Sequence, residues 1–230
     1  MSRSLFITGA GSGLGAALAR ETGRHGWRVG LCGRTESKLV EVANEIAAAG
    51  GHPEIYTTDV VDHATLDTAI AAFRPDALVC CAAMLDQASL ADLTPERFAA
   101  TMATNVQGTF NACRAAITLW QEAGVVGDVV TIASLGGLRG QQRFPGFAAY
   151  AASKHAVVGL TETLALEGKQ IGVRVNAIAP GAFDTPMSRA LGLIPTTSAA
   201  EIVPTILYLL DRSKSGALSG ATIEIQCNDD

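Results

Sequence analysis

Positive charge is scarce in this chain. Seventeen Lys and Arg stand against twenty-two Asp and Glu among 230 residues, giving a net charge of −5 and a pI near 5.4. A polyanionic partner requires a basic face, so nucleic acid and anionic membrane are excluded as partners. Charged residues of both signs reach only 17% against 48% hydrophobic, which excludes a disordered chain. No uninterrupted apolar run is long enough to cross a bilayer, and glycines at 9, 11, 13 and 15 interrupt the apolar N-terminus, so no signal peptide is expected. Repeats, linkers and low-complexity tracts are also missing, and one domain spanning 1–230 is the expectation. The cysteines are odd in number: Cys32, Cys80, Cys81, Cys113 and Cys227. They are expected to be buried free thiols of a reducing, cytoplasmic compartment. Cys80-Cys81 has no second pair, and no His, at metal-site spacing, so no metal is expected.

What the chain does have is alternation. Short runs rich in Val, Ile and Leu at 4–8, 28–32, 54–57, 77–81, 128–133, 174–179 and 221–226 read as strands covered on both faces. Between them, helices are expected at 14–24, 36–49, 63–73, 95–122, 148–169 and 199–211. Thr35 is a candidate N-cap, Gly50-Gly51 closes that second helix, and Thr94-Pro95 opens the fourth. Strict alternation predicts an α/β fold: a Rossmann-type, doubly wound parallel sheet of about seven strands flanked by helices.

Two patterns carry chemistry. The first strand runs into Thr8-Gly-Ala-Gly-Ser-Gly-Leu-Gly15, followed by a helix. Such a loop lets backbone N–H groups approach a pyrophosphate, whereas the bland alternative is a flexible turn. The second strand ends at Gly33-Arg34-Thr35, where a carboxylate would select a ribose 2′-hydroxyl. A guanidinium there suits a phosphate, so NADP(H) is expected over NAD(H), with Ser12 and Thr35 adding hydrogen bonds to the 2′-phosphate. The alternative leaves Arg34 solvated and gives the ribose to Glu36. The second pattern is Tyr150-Ala-Ala-Ser-Lys154. Four residues apart on a helix, the phenol and the ammonium share one face. A free phenol titrates near pH ~10, and an adjacent cation lowers that value, which makes Tyr150 a candidate proton donor. By itself such a pair is also what a solvated Lys beside a packed Tyr looks like.

Taken together, these motifs resemble the classical short-chain dehydrogenase/reductase family over nearly the whole chain. Thr8, Gly9, Gly13 and Gly15 meet its T-G-x3-G-x-G. Asp59 before Val60 matches its adenine-contacting Asp, Asn105 its helix Asn and Ser134 its catalytic Ser. Tyr150 to Lys154 supply its Y-x3-K, and Asn176 to Gly181 its N-x-x-x-P-G, followed by Thr185 and Met187. The resemblance implies a nicotinamide cofactor lying against Gly9, Ser12, Gly13, Leu14, Arg34, Thr35, Asp59, Val60, Cys81, Ala82, Tyr150, Lys154, Pro180, Gly181 and Thr185. It implies catalysis by Asn105, Ser134, Tyr150 and Lys154: Ser134 holds a carbonyl oxygen, Tyr150 transfers the proton, Lys154 tunes Tyr150 and binds ribose, and Asn105 positions a relay water. A buried structural Asn is the alternative for Asn105, local polar capping that for Thr185. His155, beside Lys154, is taken as structural.

There are three departures from the family pattern. Cys80-Cys81-Ala82-Ala83 replaces N-N-A-G, so ribose contacts must come from backbone groups or shift. Gln141-Gln-Arg143 has the character of an insertion. The substrate loop, about 182–198, is short, and Ile223-Glu-Ile-Gln-Cys-Asn-Asp-Asp replaces V-D-G-G. Leu135, Leu138, Phe144, Phe147, Ala182, Phe183 and Met187 are pocket candidates, which points to an apolar, aromatic or acyl ketone. Arg139 and Arg143 are either solvated or placed to meet an acidic group. NADPH-dependent ketone reduction leads; the alternatives are an NAD(P)+-dependent alcohol or diol dehydrogenase and a non-catalytic dinucleotide sensor. Small residues at Ala115, Ala116, Ala148, Ala149, Ala152 and Ala156 permit close helix packing, and a homodimer or homotetramer is expected.

Overall fold

A computed structural model describes residues 3–141 and 144–227. Seven parallel strands form one sheet in the order β3-β2-β1-β4-β5-β6-β7. They are β1 (Ser4–Thr8), β2 (Arg28–Gly33), β3 (His52–Thr57), β4 (Ala77–Cys80), β5 (Asp128–Ile132), β6 (Arg174–Pro180) and β7 (Thr222–Ile225). The helices are α1 (Gly13–Arg24), α2 (Glu36–Ala48), α3 (His63–Phe73), α4 (Pro95–Met102), α5 (Gly108–Ala123), α6 (Ala148–Gly168), α7 (Pro186–Ala190), α8 (Ala199–Leu210) and α9 (Arg212–Ser215).

The apolar face of each helix explains its layer. Leu14 and Leu18 of α1, Leu39 and Ile46 of α2, and Ile202 and Ile206 of α8 form one core against Leu5, Ile7 and Val29. Leu66 and Phe73 of α3, Ala112 and Trp120 of α5, and Ala165 of α6 form the other against Phe6, Leu78 and Val129. The central strands are covered on both faces, as their apolar runs require. The edge strand β3 departs from that expectation: it mixes half-buried and exposed residues, with none fully buried. It also starts at His52, two residues before the predicted 54, and contains Pro53, which an edge tolerates because its missing N–H breaks no interior ladder.

The predicted helix 95–122 is interrupted. A π-turn, Ala103–Gln107, separates α4 from α5 and carries Asn105. Thr94 caps α4 as expected, accepting from Arg97 N–H. The short helices α7 and α9 were not anticipated: each is too short for a periodic pattern. Strand order reverses between β1 and β4, which opens a crevice at the carboxyl ends of the strands.

Candidate active site

A cleft of about 1190 Å3 occupies that crevice, running from Arg34, Lys38 and Asp59 at one end to Phe144, Phe147 and Met187 at the other. Every predicted cofactor residue lines it, from Gly9, Ser12, Gly13 and Leu14 through Arg34, Thr35, Asp59, Val60, Cys81 and Ala82 to Pro180, Gly181 and Thr185. Ser134, Tyr150 and Lys154 line it as well; Asn105 does not.

The glycine loop is shaped for close approach. Gly9 and Gly13 have φ of 68° and 52°, the left-handed region that favours glycine. A Cβ on Gly9 would lie 2.7 Å from Ala82 N, and one on Gly15 2.4 Å from the Gly9 carbonyl oxygen. The loop therefore packs directly on the exit of β4, where Ala82 N–H donates to Thr8 Oγ1 and Cys81 N–H to the Thr8 carbonyl. Where the family pattern has Asn residues, the backbone of Cys81-Ala82 is tied to Thr8 and lines the cleft. A backbone cradle beside a helix N-terminus is the donor set that a dinucleotide pyrophosphate needs, so the residues present fit that group. Cys81 and Cys227 line the cleft half-buried, unlike the expected fully buried thiols, whereas Cys32, Cys80 and Cys113 are buried. Burial pushes the Cys81 thiol up to about 12, which leaves it protonated.

At the end of the cleft beside α2, Arg34 Nη1 stands 3.9 Å from Asp59 Oδ2. Thr35 occupies the N-cap of α2 without a capping side-chain bond. Asn111 Nδ2 donates to the Val60 carbonyl at 2.9 Å and fixes the Asp59-Val60 segment.

At the other end, Ser134 follows β5, its hydroxyl accepting from Gly136 N–H at 3.2 Å and hydrogen-bonded to Tyr150. Lys154 is buried on α6; its Nζ donates to the Ile132 carbonyl at 2.7 Å and lies 5.6 Å from the Tyr150 ring centroid. The expectation that Lys154 lowers the Tyr150 pKa is not met. Burial raises the phenol above its ordinary value, and the opposing effect comes from the Ser134 hydrogen bond. The ammonium is bonded to the Ile132 carbonyl and lies over the Tyr150 ring. Burial also lowers Lys154 to about 8, with the nearby Cys81 and Cys80 acting in the opposite sense.

Asn105 requires a correction. Its Oδ1 accepts from Met84 N–H, and its Nδ2 donates to the Met84 carbonyl and to Ser153 Oγ, at 2.8–2.9 Å. Both amide protons are spent on protein partners, so neither is left to donate to a relay water. Ser153 in turn donates to the Tyr150 carbonyl at 2.7 Å. Asn105 thus clamps the loop after β4 to the helix that carries Tyr150 and Lys154.

Among the apolar pocket candidates, Leu135, Phe144, Phe147, Ala182, Phe183 and Met187 line the cleft. Leu138 does not; it packs on Ala133 and Val157 beneath. Arg139 is exposed outside the lining, and Gln142 and Arg143 lie outside the described residues. Gln141 donates to Glu224 Oε2 at 2.8 Å and ties the inserted loop to β7. His155 is exposed, its Nδ1 2.9 Å from the Ala151 carbonyl. Thr185 is held by a reciprocal cap with Ser188, and its methyl would touch a Cβ on Gly13 at 3.3 Å. Sequence reasoning missed Gly11, Lys38, Thr58 and Gln226, all in the lining. Of these only Lys38 carried a signal, one helical turn after Arg34.

Residues 3–193 match the model of a family described as short chain dehydrogenase. This chain belongs to the short-chain dehydrogenase family. It is 35% identical over 192 residues to a glucose 1-dehydrogenase of Gluconobacter oxydans (strain 621H), covering 81% of this chain and 71% of that protein. It is also 35% identical over 197 residues to a putative ketoacyl reductase of Streptomyces coelicolor, covering 83% and 74%. The crystal structure of an actinorhodin polyketide ketoreductase variant with NADPH superposes with a TM-score of 0.88 at 29% identity, covering 98% of this chain and 96% of that one. As a short-chain dehydrogenase, the chain is an oxidoreductase built around a nicotinamide dinucleotide cofactor. Among the described residues, no helix is long and apolar enough to cross a membrane and no cluster could hold a metal ion.

Proposed function

We propose that this protein reduces an apolar, aromatic or acyl ketone to its alcohol with NADPH, within a single domain whose substrate loop spans about 182–198. The observation that carries the reading is a Ser134–Tyr150 hydrogen bond beside buried Lys154, in one cleft with Arg34 at its far end. When bound, the nicotinamide supplies the hydride. Ser134 donates a hydrogen bond to the substrate carbonyl oxygen and holds it against Tyr150. Tyr150 delivers its proton to that oxygen, a role that a phenol with a raised pKa performs as an acid at neutral pH. Lys154 keeps a positive charge beside the Tyr150 ring below pH about 8 and hydrogen-bonds the nicotinamide ribose. Asn105 and Ser153 position the helix without touching substrate.

Apolar lining at the substrate end supports an apolar ketone: Phe144, Phe147 and Met187 face the cleft, while the described cations in its lining lie at the adenosine end or beneath Tyr150. Arg34 supports NADP(H). A second reading, oxidation of an alcohol with NAD(P)+, draws on the Asp59 carboxylate beside Arg34 and on relatives whose names are dehydrogenases. A homodimer or homotetramer in the cytoplasm completes the proposal, supported by exposed Ala148, Ala152, Phe98 and Phe110 on α4, α5 and α6 and by free thiols.

Separate titrations with NADPH and NADH, followed by nicotinamide fluorescence and then turnover of an apolar ketone panel, test this. Preferred NADPH binding that weakens about tenfold in Arg34→Ala, with ketone-dependent NADPH oxidation, is expected. Preferred NADH binding, or turnover confined to alcohols, moves the second reading into first place.

A further inference from the structure

We propose that Lys38 is a specificity-determining residue for the cofactor, supplying a second cation to an adenosine 2′-phosphate. This rests on the NADP(H) reading above. A phosphate monoester carries close to two negative charges near neutral pH. Arg34 does not offer a whole compensating charge, because Asp59 Oδ2 stands 3.9 Å from its Nη1 and on the same wall of the cleft. One guanidinium paired with one carboxylate leaves a dianion poorly matched, and like charges at this range repel.

Lys38 makes up the difference. It lies on α2, one turn beyond Arg34, and it lines the same cleft. Among the described residues it has no ion pair. Its stem lies over the glycine loop: a Cβ on Gly11 would crowd Lys38 Cβ at 3.0 Å. The glycine at position 11 is thus what lets the lysine approach the loop, a role separate from the φ demands met by Gly9 and Gly13. With Lys38 counted, the wall carries two cations against one carboxylate, and the acidic neighbours on α2, Glu36 and Glu41, stay outside the cleft lining.

The start of α2 adds to this. Thr35 at its N-cap makes no side-chain capping bond, so its hydroxyl is not committed to the helix. α2 runs for 13 residues, and the partial positive charge at its N-terminus lies between Arg34 and Lys38. Arg34, Thr35 and Lys38 therefore line the same part of the cleft.

The test is a set of binding titrations with NADPH, NADH and adenosine 2′,5′-bisphosphate on wild type, Lys38→Gln and Arg34→Gln, repeated at two salt concentrations. In Lys38→Gln, the Kd for NADPH and for the bisphosphate is expected to rise about tenfold and the salt dependence to flatten, with NADH changed less than about twofold. A Lys38→Gln protein that keeps the wild-type NADPH-to-NADH ratio, while Arg34→Gln loses it, overturns the role of Lys38 and leaves the NADP(H) reading standing. Equal weakening of NADPH and NADH in Lys38→Gln also overturns it, since that places the ammonium at a phosphate common to both. A wild-type protein that binds NADH as tightly as NADPH sinks the proposal together with the reading beneath it.

Discussion

The two ends of the sheet are built on opposite terms. At the amino ends of the strands, Asp128 accepts from Arg3, Arg174 and Arg212 at 2.8–3.0 Å, and Arg174 also donates to the Leu209 and Ser215 carbonyls. Ser4 and Asp76 exchange hydrogen bonds there, and Trp120 Nε1 donates to the Pro75 carbonyl. Polar groups at this end are spent on one another, and they lock β1, β5, β6 and α9 together. At the carboxyl ends, Arg34, Thr35, Lys38, Ser134 and Tyr150 face an open cleft, with only weak or single partners among themselves. The fold is pinned at the amino end, so the carboxyl end can hold polar groups ready for a ligand.

The comparison can be broken most sharply at Tyr150. Removing its hydroxyl in Tyr150→Phe should lower kcat about a thousandfold while leaving cofactor affinity and Tm near wild type. Unchanged turnover would take Tyr150 out of the mechanism. At the other end the converse holds. Asp128→Asn leaves three arginines around an uncharged amide and should cost about 3–5 kcal/mol in unfolding free energy, read by denaturant titration. If stability barely moved, the pinned end would be no more than a solvated cluster. Lys154 gives the smallest and most diagnostic signal. Its folded pKa of about 8 lies below the ordinary lysine value, so between those two pH values the unfolded chain binds the extra proton. Stability of the wild type should therefore rise with pH above about 8, relative to Lys154→Met, by at most about 1.4 kcal/mol per pH unit. Parallel stability curves for the two proteins would show that the ammonium is better solvated than its burial implies.

Much of this was legible from residues because the signals were local. Strand and helix periods placed all seven strands to within two residues at each end, and the Thr8–Gly15 loop and the Tyr150–Lys154 pair lie in the cleft where their chemistry requires. What escaped depended on distant partners. The π-turn at Asn105 has no signature in composition; it exists where Met84 and Ser153 capture the amide. The direction of the Tyr150 shift turned on the burial of its hydroxyl, which only the folded packing sets. Leu138 read as a pocket residue because it sits among pocket residues in the chain, yet at the end of the 3-10 turn Leu135–Gly137 it packs onto Ala133 and Val157.

The contact between Gly15 and the Gly9 carbonyl has a consequence for how such a protein changes over time. With 2.4 Å between that oxygen and a would-be Cβ, the capacity to hold a dinucleotide cannot be altered by small steps in the loop. Arg34 and Lys38, by contrast, are exposed and support none of the core. On the cofactor reading proposed above, exchanging them would alter which dinucleotide is preferred without endangering the chain, so redox coupling to one cellular pool or the other could drift while the scaffold stays fixed.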